Sequence, residues 1–120
     1  MGLNILIADD SAFMRNYLKR ALKQAQVAKI VEAKDGQEVV VKYKEEKPDL
    51  VFLDIMMPNK DGIDALKEIK KLVPDSNVIM CTSVGQEKII KECVDAGAND
   101  FITKPFKPDE IVTVVKKYNE

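Results

Sequence analysis

The chain has 120 residues, enough for one hydrophobic core and too few for two. Its 19 basic and 20 acidic residues alternate and leave a net charge of −1, so no basic stripe of the kind a nucleic-acid binder needs is present. No apolar stretch approaches the ~18 residues of a membrane span and no signal-peptide pattern opens the chain, which predicts a cytoplasmic protein with no membrane and no nucleic-acid partner.

Leu3 to Ala8 predicts a first strand, ended by Asp9-Asp10. Ser11 is placed to cap a helix whose apolar positions Met14, Tyr17, Leu18, Ala21, Leu22 and Ala25 recur at helical spacing. Lys29 to Ala33 reads as the second strand. Asp35-Gly36 then turns the chain into a helix near Gln37 to Glu46, which Pro48 stops. Leu50 to Asp54 is the third strand, and Pro58 to Gly62 is a loop with Asp61-Gly62 as its turn signal. Ile63, Leu66, Ile69 and Val73 line a third helix that Pro74 ends. Asn77 to Thr82 is the fourth strand. The fourth helix runs from Gln86 to Ala96, with Ile89, Ile90, Cys93 and Val94 inward and Gly97 as its stop. Asp100 to Thr103 is the fifth strand. Pro108 opens a last helix with Ile111, Val114, Val115 and Tyr118 on one face.

Alternation of short apolar strands with amphipathic helices predicts an α/β fold. Right-handed crossovers put helices on both faces, giving a doubly wound five-stranded parallel sheet of flavodoxin type, strand order 2-1-3-4-5. A barrel would need eight such units. One domain is expected to span 1–120, with no output domain attached.

In a parallel α/β sheet the ligand site lies at the carboxyl ends of the strands. Four of these ends carry chemistry: Asp9-Asp10, Asp54, Thr82 and Lys104-Pro105. In the predicted order the first and third strands are neighbours, so Asp9, Asp10 and Asp54 meet. Such carboxylates repel and raise one another's pKa, and a divalent cation relieves the repulsion. An all-oxygen site that keeps waters suits Mg²⁺. Asp54, inside the apolar run Leu53-Asp54-Ile55, is the candidate nucleophile toward a phosphoryl group. The ammonium of Lys104 would neutralise developing charge, and the Thr82 hydroxyl could donate to a phosphoryl oxygen. Histidine is absent, which removes His-based triads, His general bases and most zinc sites. Cys81 and Cys93 form no CxxC pair and are expected as buried structural thiols.

Asp9-Asp10, Leu53-Asp54-Ile55-Met56-Met57-Pro58, Asp61-Gly62, Thr82-Ser83 and Lys104-Pro105-Phe106 together resemble the receiver domains of response regulators, over essentially the whole chain. The resemblance implies that Asp54 is phosphorylated by a sensor histidine kinase. It implies that Asp10, Asp54 and the backbone carbonyl of Met56 bind Mg²⁺, with Asp9 acting through water. Thr82 and Lys104 are then the signalling pair, with a cis peptide before Pro105 and Phe101 as the aromatic that rotates inward with Thr82. Phe13-Met14-Arg15 and Gly85-Gln86 are similar to the stand-alone chemotaxis receivers, whose output is binding to a motility-motor switch or an adaptor protein. Ser83 and Phe101 stand where alanine and tyrosine are common in the family. Met56 and Val84 occupy positions that influence dephosphorylation.

A monomeric phosphoacceptor switch follows, one that catalyses only its own phosphorylation and slow dephosphorylation. The alternative within the family is a phosphorelay shuttle passing its phosphoryl group to a second histidine protein. The output face is expected on the fourth helix, fifth strand and fifth helix, with Lys91, Asp95, Asn99, Lys116 and Lys117 outward and a Phe106 contact. A haloacid-dehalogenase-type phosphatase would need an acid where Met56 stands. A flavodoxin-type FMN site would need a small-residue loop where Asp9-Asp10 would repel the phosphate.

Overall fold

Among the described residues, five strands alternate with five helices. The elements are β1 (Asn4–Ala8), α1 (Ala12–Gln24), β2 (Lys29–Ala33), α2 (Gly36–Glu46), β3 (Leu50–Asp54), α3 (Gly62–Leu72), β4 (Val78–Ser83), α4 (Glu87–Asp95), β5 (Asp100–Lys104) and α5 (Pro108–Tyr118). The computed structural model describes residues 2–57, 59–83 and 87–119. Pro58, Val84, Gly85 and Gln86, named above, lie outside them. All strand pairs are parallel, in the order β2-β1-β3-β4-β5, as the sequence predicts.

The three inner strands explain why their sequences read as continuous apolar runs. β3 is buried at every position, because helices cover both faces of the sheet. Successive side chains alternate between those faces. Ile5, Ile7, Phe52 and Ile79 pack with Leu18 and Leu22 of α1 and Ile111 and Val115 of α5. Leu6, Val51, Leu53 and Met80 pack with Val39 of α2, Leu66 and Ile69 of α3 and Cys93 of α4. Each such side chain contributes roughly 1.5–3 kcal/mol on leaving water. Both cysteines are buried and unpaired, and burial pushes the Cys81 thiol up to about 12, which leaves it inert.

Helix entry follows the local signals. The side chains of Ser11, Asp35 and Asp61 accept from the backbone N–H of Met14, Glu38 and Asp64 at 3.3, 2.8 and 2.9 Å. Gly97, at φ 101°, follows α4 as expected. Two apolar positions depart from the helical pattern. Val94 is 53% exposed rather than inward. Cys93 is the buried residue of α4, Ile89 and Ile90 are half-buried, and Val94 lies about 100° farther round the helix from Cys93. Val73 is also exposed, because α3 ends at Leu72 and Val73 has extended backbone ahead of Pro74.

Gly62 sets how closely α3 approaches the end of β3. Its N–H donates to the carbonyl of Ile55 at 2.7 Å, and a Cβ there would lie 2.0 Å from the carbonyl oxygen of Asp54. Gly97 faces only carbon atoms of Lys70, 3.4 Å away or more, so its constraint is φ alone. Gly62→Ala is therefore expected to lower the urea-unfolding free energy by about 2–4 kcal/mol, and Gly97→Ala by about 1 kcal/mol. Equal losses in the two variants would show that the approach at Gly62 is easily relaxed.

Candidate functional site

Strand register brings the acids together. Ala8 of β1 stands beside Leu53 of β3, so Asp9 and Asp54 leave adjacent strand ends. Oxygens of Asp9, Asp10 and Asp54 lie within 4.8 Å of one another. Asp9 is 2% exposed and Asp54 7%, whereas Asp10 faces solvent. β4 and β5 add the remaining groups, with Thr82 paired to Thr103 and Ser83 to Lys104.

Asp9 is held at every polar atom. Its N–H donates to the Ala33 carbonyl at 3.1 Å, and its own carbonyl accepts from Arg15 Nη1 at 2.6 Å. Its carboxylate accepts from the Ser11 N–H at 2.9 Å and from Lys104 Nζ at 3.0 Å. Arg15 is in turn fixed by Glu32 at 3.0 Å, and Lys19 reaches the other Glu32 oxygen at 3.0 Å. Sequence reasoning gave Arg15 and Glu32 no role. Only the pairing of β1 with β2 brings Glu32 under the turn after β1.

Lys104 stands between the two buried acids, 3.0 Å from Asp9 and 3.3 Å from Asp54. Burial alone would lower its pKa, but the hydrogen bond it donates to Asp9 and the charges of both acids hold it above the usual lysine range. Burial pushes Asp54 up to about 6. Lys104 offsets part of that rise and Asp9 adds to it.

The Thr82 side chain is buried. Among the described residues its hydroxyl reaches only the Ser83 carbonyl, at 3.4 Å, and it lines a cleft of about 40 Å³ together with Asp54, Met56 and Ile89. On the other side of Asp54, Asp10, Met56, Met57 and Asp61 line an open hollow of about 510 Å³. An all-oxygen donor set opening onto water fits a hard divalent cation.

The Lys104–Pro105 peptide is cis, as expected. Pro105 and Lys104 line a third hollow, of about 320 Å³, with Phe13, Met14, Tyr17 and Phe106. Phe13, 75% exposed, is an apolar residue beside the acids to which sequence reasoning gave no role. Phe106, expected to face outward, is 3% exposed. Its ring packs edge-on against Tyr17 at 5.6 Å, and its carbonyl accepts from the Tyr17 hydroxyl at 2.7 Å. Phe101, by contrast, is 42% exposed on β5.

A parallel α/β domain with an acid cluster, a lysine and a buried hydroxyl on adjoining strand ends is the architecture of a phosphoacceptor switch domain. The family model for the response regulator receiver domain matches residues 5–116, and the chain belongs to that family. It is 47% identical over 120 residues to the chemotaxis protein CheY of Thermotoga maritima, covering all of both chains. It is 46% identical over 116 residues to CheY of Halobacterium salinarum, covering 96% of this chain and 95% of that one. The crystal structure of the CheX–CheY–BeF3–Mg complex from Borrelia burgdorferi matches with a TM-score of 0.90 at 36% identity. That match covers 98% of this chain and 89% of the other. The chain is a CheY-like response regulator, of a kind consistent with chemotaxis signalling. No helix among the described residues is long and apolar enough to cross a membrane.

The raised Asp54 pKa has a sign that can be checked. A carboxyl that binds its proton more tightly when folded contributes stability that is full below the unfolded value near 3.8 and is lost as pH rises through about 6. At pH 7.5 in EDTA, Asp54→Asn is expected to stabilise the fold by on the order of 2 kcal/mol, with the gain vanishing below about pH 4. Urea melts across that range measure it, and a pH-independent difference would contradict the assignment.

Proposed function

We propose that this chain is a receiver switch of a chemotaxis pathway, in which Asp54 accepts a phosphoryl group from a CheA-like sensor histidine kinase. The observation that carries the reading is the buried Asp54 carboxylate, bridged by Lys104 to Asp9 at the mouth of an acid cluster. Asp10, Asp54 and the Met56 carbonyl would hold Mg²⁺, with Asp9 acting through water. Bound there, Mg²⁺ would neutralise charge on the phosphoryl oxygens. A carboxylate oxygen of Asp54 attacks phosphorus, the P–N bond to the donor imidazole breaks, and its electron pair leaves with the imidazole, which takes up a proton. The donor approaches across the rim formed by Phe13 and Pro105.

After transfer, Lys104 and the Thr82 hydroxyl turn to the new phosphoryl oxygens. The hydroxyl lines the cleft beside Asp54 and gives up only a long contact to Ser83. Its movement frees space for Phe101 to turn inward and biases a two-state equilibrium. The phosphorylated form then binds a motility-motor switch or adaptor protein through α4, β5 and α5. Lys91, Asp95, Asn99, Lys116 and Lys117 are all exposed there. The face is more apolar than the sequence suggested, because Val94 and Phe101 are exposed on it while Phe106 is buried. The protein acts as a cytoplasmic monomer, a single receiver domain over 1–120.

Acetyl phosphate with Mg²⁺ is expected to add one phosphoryl mass to the wild type by intact mass spectrometry. Neither EDTA-treated protein nor Asp54→Asn should gain it, and an adduct on Asp54→Asn would place the acceptor elsewhere.

A strain lacking the gene is expected to build its motility organelle but lose directional switching. Thr82→Ala should still label yet restore less than about a tenth of the switching, because a near-complete shift needs several kcal/mol from more than one contact. A strain that swims normally and loses a developmental or transcriptional response would favour the phosphorelay shuttle instead.

A further inference from the structure

At the opposite end of β3 from Asp54, the C-terminal ends of α2 and α3 enclose a trough that the phosphoacceptor chemistry does not use. Its first part, about 470 Å³, is lined by Tyr43, Lys44, Lys47, Pro48, Leu72 and Val73. It continues along the α2–α3 seam into a second hollow of about 460 Å³, which shares Lys44 and Leu72 and adds Val40 and Lys71. Tyr43 and Pro48 form a buried floor, while Leu72 is 47% exposed and Val73 37%.

Lysines outnumber acids in the lining, three to one. Lys44, Lys47 and Lys71 pair with no acid among the described residues. Glu68, the acid that lines the second hollow, is already engaged by Lys60. Asp75, close enough to act on Tyr43, and Glu45, Glu46 and Asp49 also lie near this end, where Lys29 engages Glu46 and the Asn4 N–H engages Asp49. Lysines in the last turn of a helix complement its dipole, which accounts for Lys44 and Lys71 taken singly. It does not account for an uncovered leucine and valine beside that floor. Apolar anchors inside a cationic rim match a segment that carries hydrophobic residues among acids.

We propose that this trough docks an acidic amphipathic segment of a partner protein. One of its leucine or phenylalanine side chains rests on Tyr43 and Leu72, and its carboxylates face Lys44, Lys47 and Lys71. Because β3 separates the trough from Asp54 by at least about 13 Å, this docking does not depend on phosphorylation. The site is a constitutive tether, distinct from the face made by α4, β5 and α5.

The test is an NMR titration of ¹⁵N-labelled full-length protein with a helix-forming peptide of about 12 residues, rich in leucine and glutamate. A second peptide has lysine in place of every glutamate. Shifts confined to residues 40–48 and 68–73, with a Kd below about 1 mM for the acidic peptide, are expected. The Lys44→Glu/Lys71→Glu protein should bind at least about fivefold more weakly, and so should Leu72→Gln. Beryllofluoride with Mg²⁺ should leave the affinity unchanged within about twofold. Equal binding of both peptides, undiminished binding to the charge-reversed protein, or no shifts up to millimolar peptide would overturn the proposal. Concentration-dependent shifts at the same residues without peptide would overturn it too, by assigning the trough to a second copy of this chain.

Discussion

Parallel register forces Asp9 and Asp54 out of the sheet at adjacent strand ends, both buried, with Asp10 immediately above them. No arrangement of this backbone separates them without unpairing β1 from β3. The repulsion must be met by a cation, and the chain supplies one from two strands away. Lys104 ends β5, yet its ammonium reaches past β4 to both Asp9 and Asp54. The cis peptide before Pro105 follows directly on Lys104, and Phe106 is anchored against Tyr17 of α1. The Arg15–Glu32–Lys19 network holds the turn that carries the acids.

The strand-end positions of the acids, Thr82 and Lys104 were legible because inner parallel strands are uninterrupted apolar runs. A polar residue that ends such a run marks the sheet edge where sites form. Asp54 was the clearest case, an acid with apolar neighbours on both sides. What Lys104 touches was not legible. Sequence placed it near a phosphoryl group, but its partners here are Asp9 and Asp54, set by side-chain reach across two strands. Arg15 and Glu32 sit on a helix and an edge strand where charged residues are ordinary, so nothing local marks their pairing. The misplaced side chains have separate causes: Val73 lies past the end of α3, Phe106 lies in the loop between β5 and α5, and Val94 is a matter of helix face. Periodicity tells which residues share a helix face, but not how wide a strip of that face the neighbouring layer covers. α4 buries a narrow stripe around Cys93, and Tyr17 of α1 reaches across to cover Phe106.

β5 is where the two functional surfaces meet. Lys104 points into the acid cluster, Ile102 into the core shared by α1 and α5, and Phe101 outward beside Met80 of β4. In the proposed switch, a displacement of Lys104 would act on a strand whose exposed residue, Phe101, belongs to the proposed output face. The pairing of Thr82 with Thr103 and of Ser83 with Lys104 ties β4 into the same motion. The link is short, the edge strand β5 and its inner neighbour β4. The Thr82 hydroxyl has a weak partner and Phe101 is half free. Groups that must exchange partners are cheapest to move when their resting contacts are poor.

Charge counting explains why one lysine can serve two states. With all three carboxylates ionised, Lys104 leaves the cluster with two uncompensated negative charges, the charge a divalent cation cancels. In the proposed reaction, phosphorylation would replace the single charge of Asp54 with about two. The excess would return even with a cation bound, and it would sit on phosphoryl oxygens rather than on the buried carboxylates. Lys104 would then gain by turning from the acids toward those oxygens, and a hydroxyl donor such as Thr82 would gain a partner better than the Ser83 carbonyl. On the proposed mechanism, the resting ion pair with Asp9 and Asp54 would thus set the threshold of the switch. It must be strong enough to hold the acids without metal and weak enough to be surrendered when the charge moves outward.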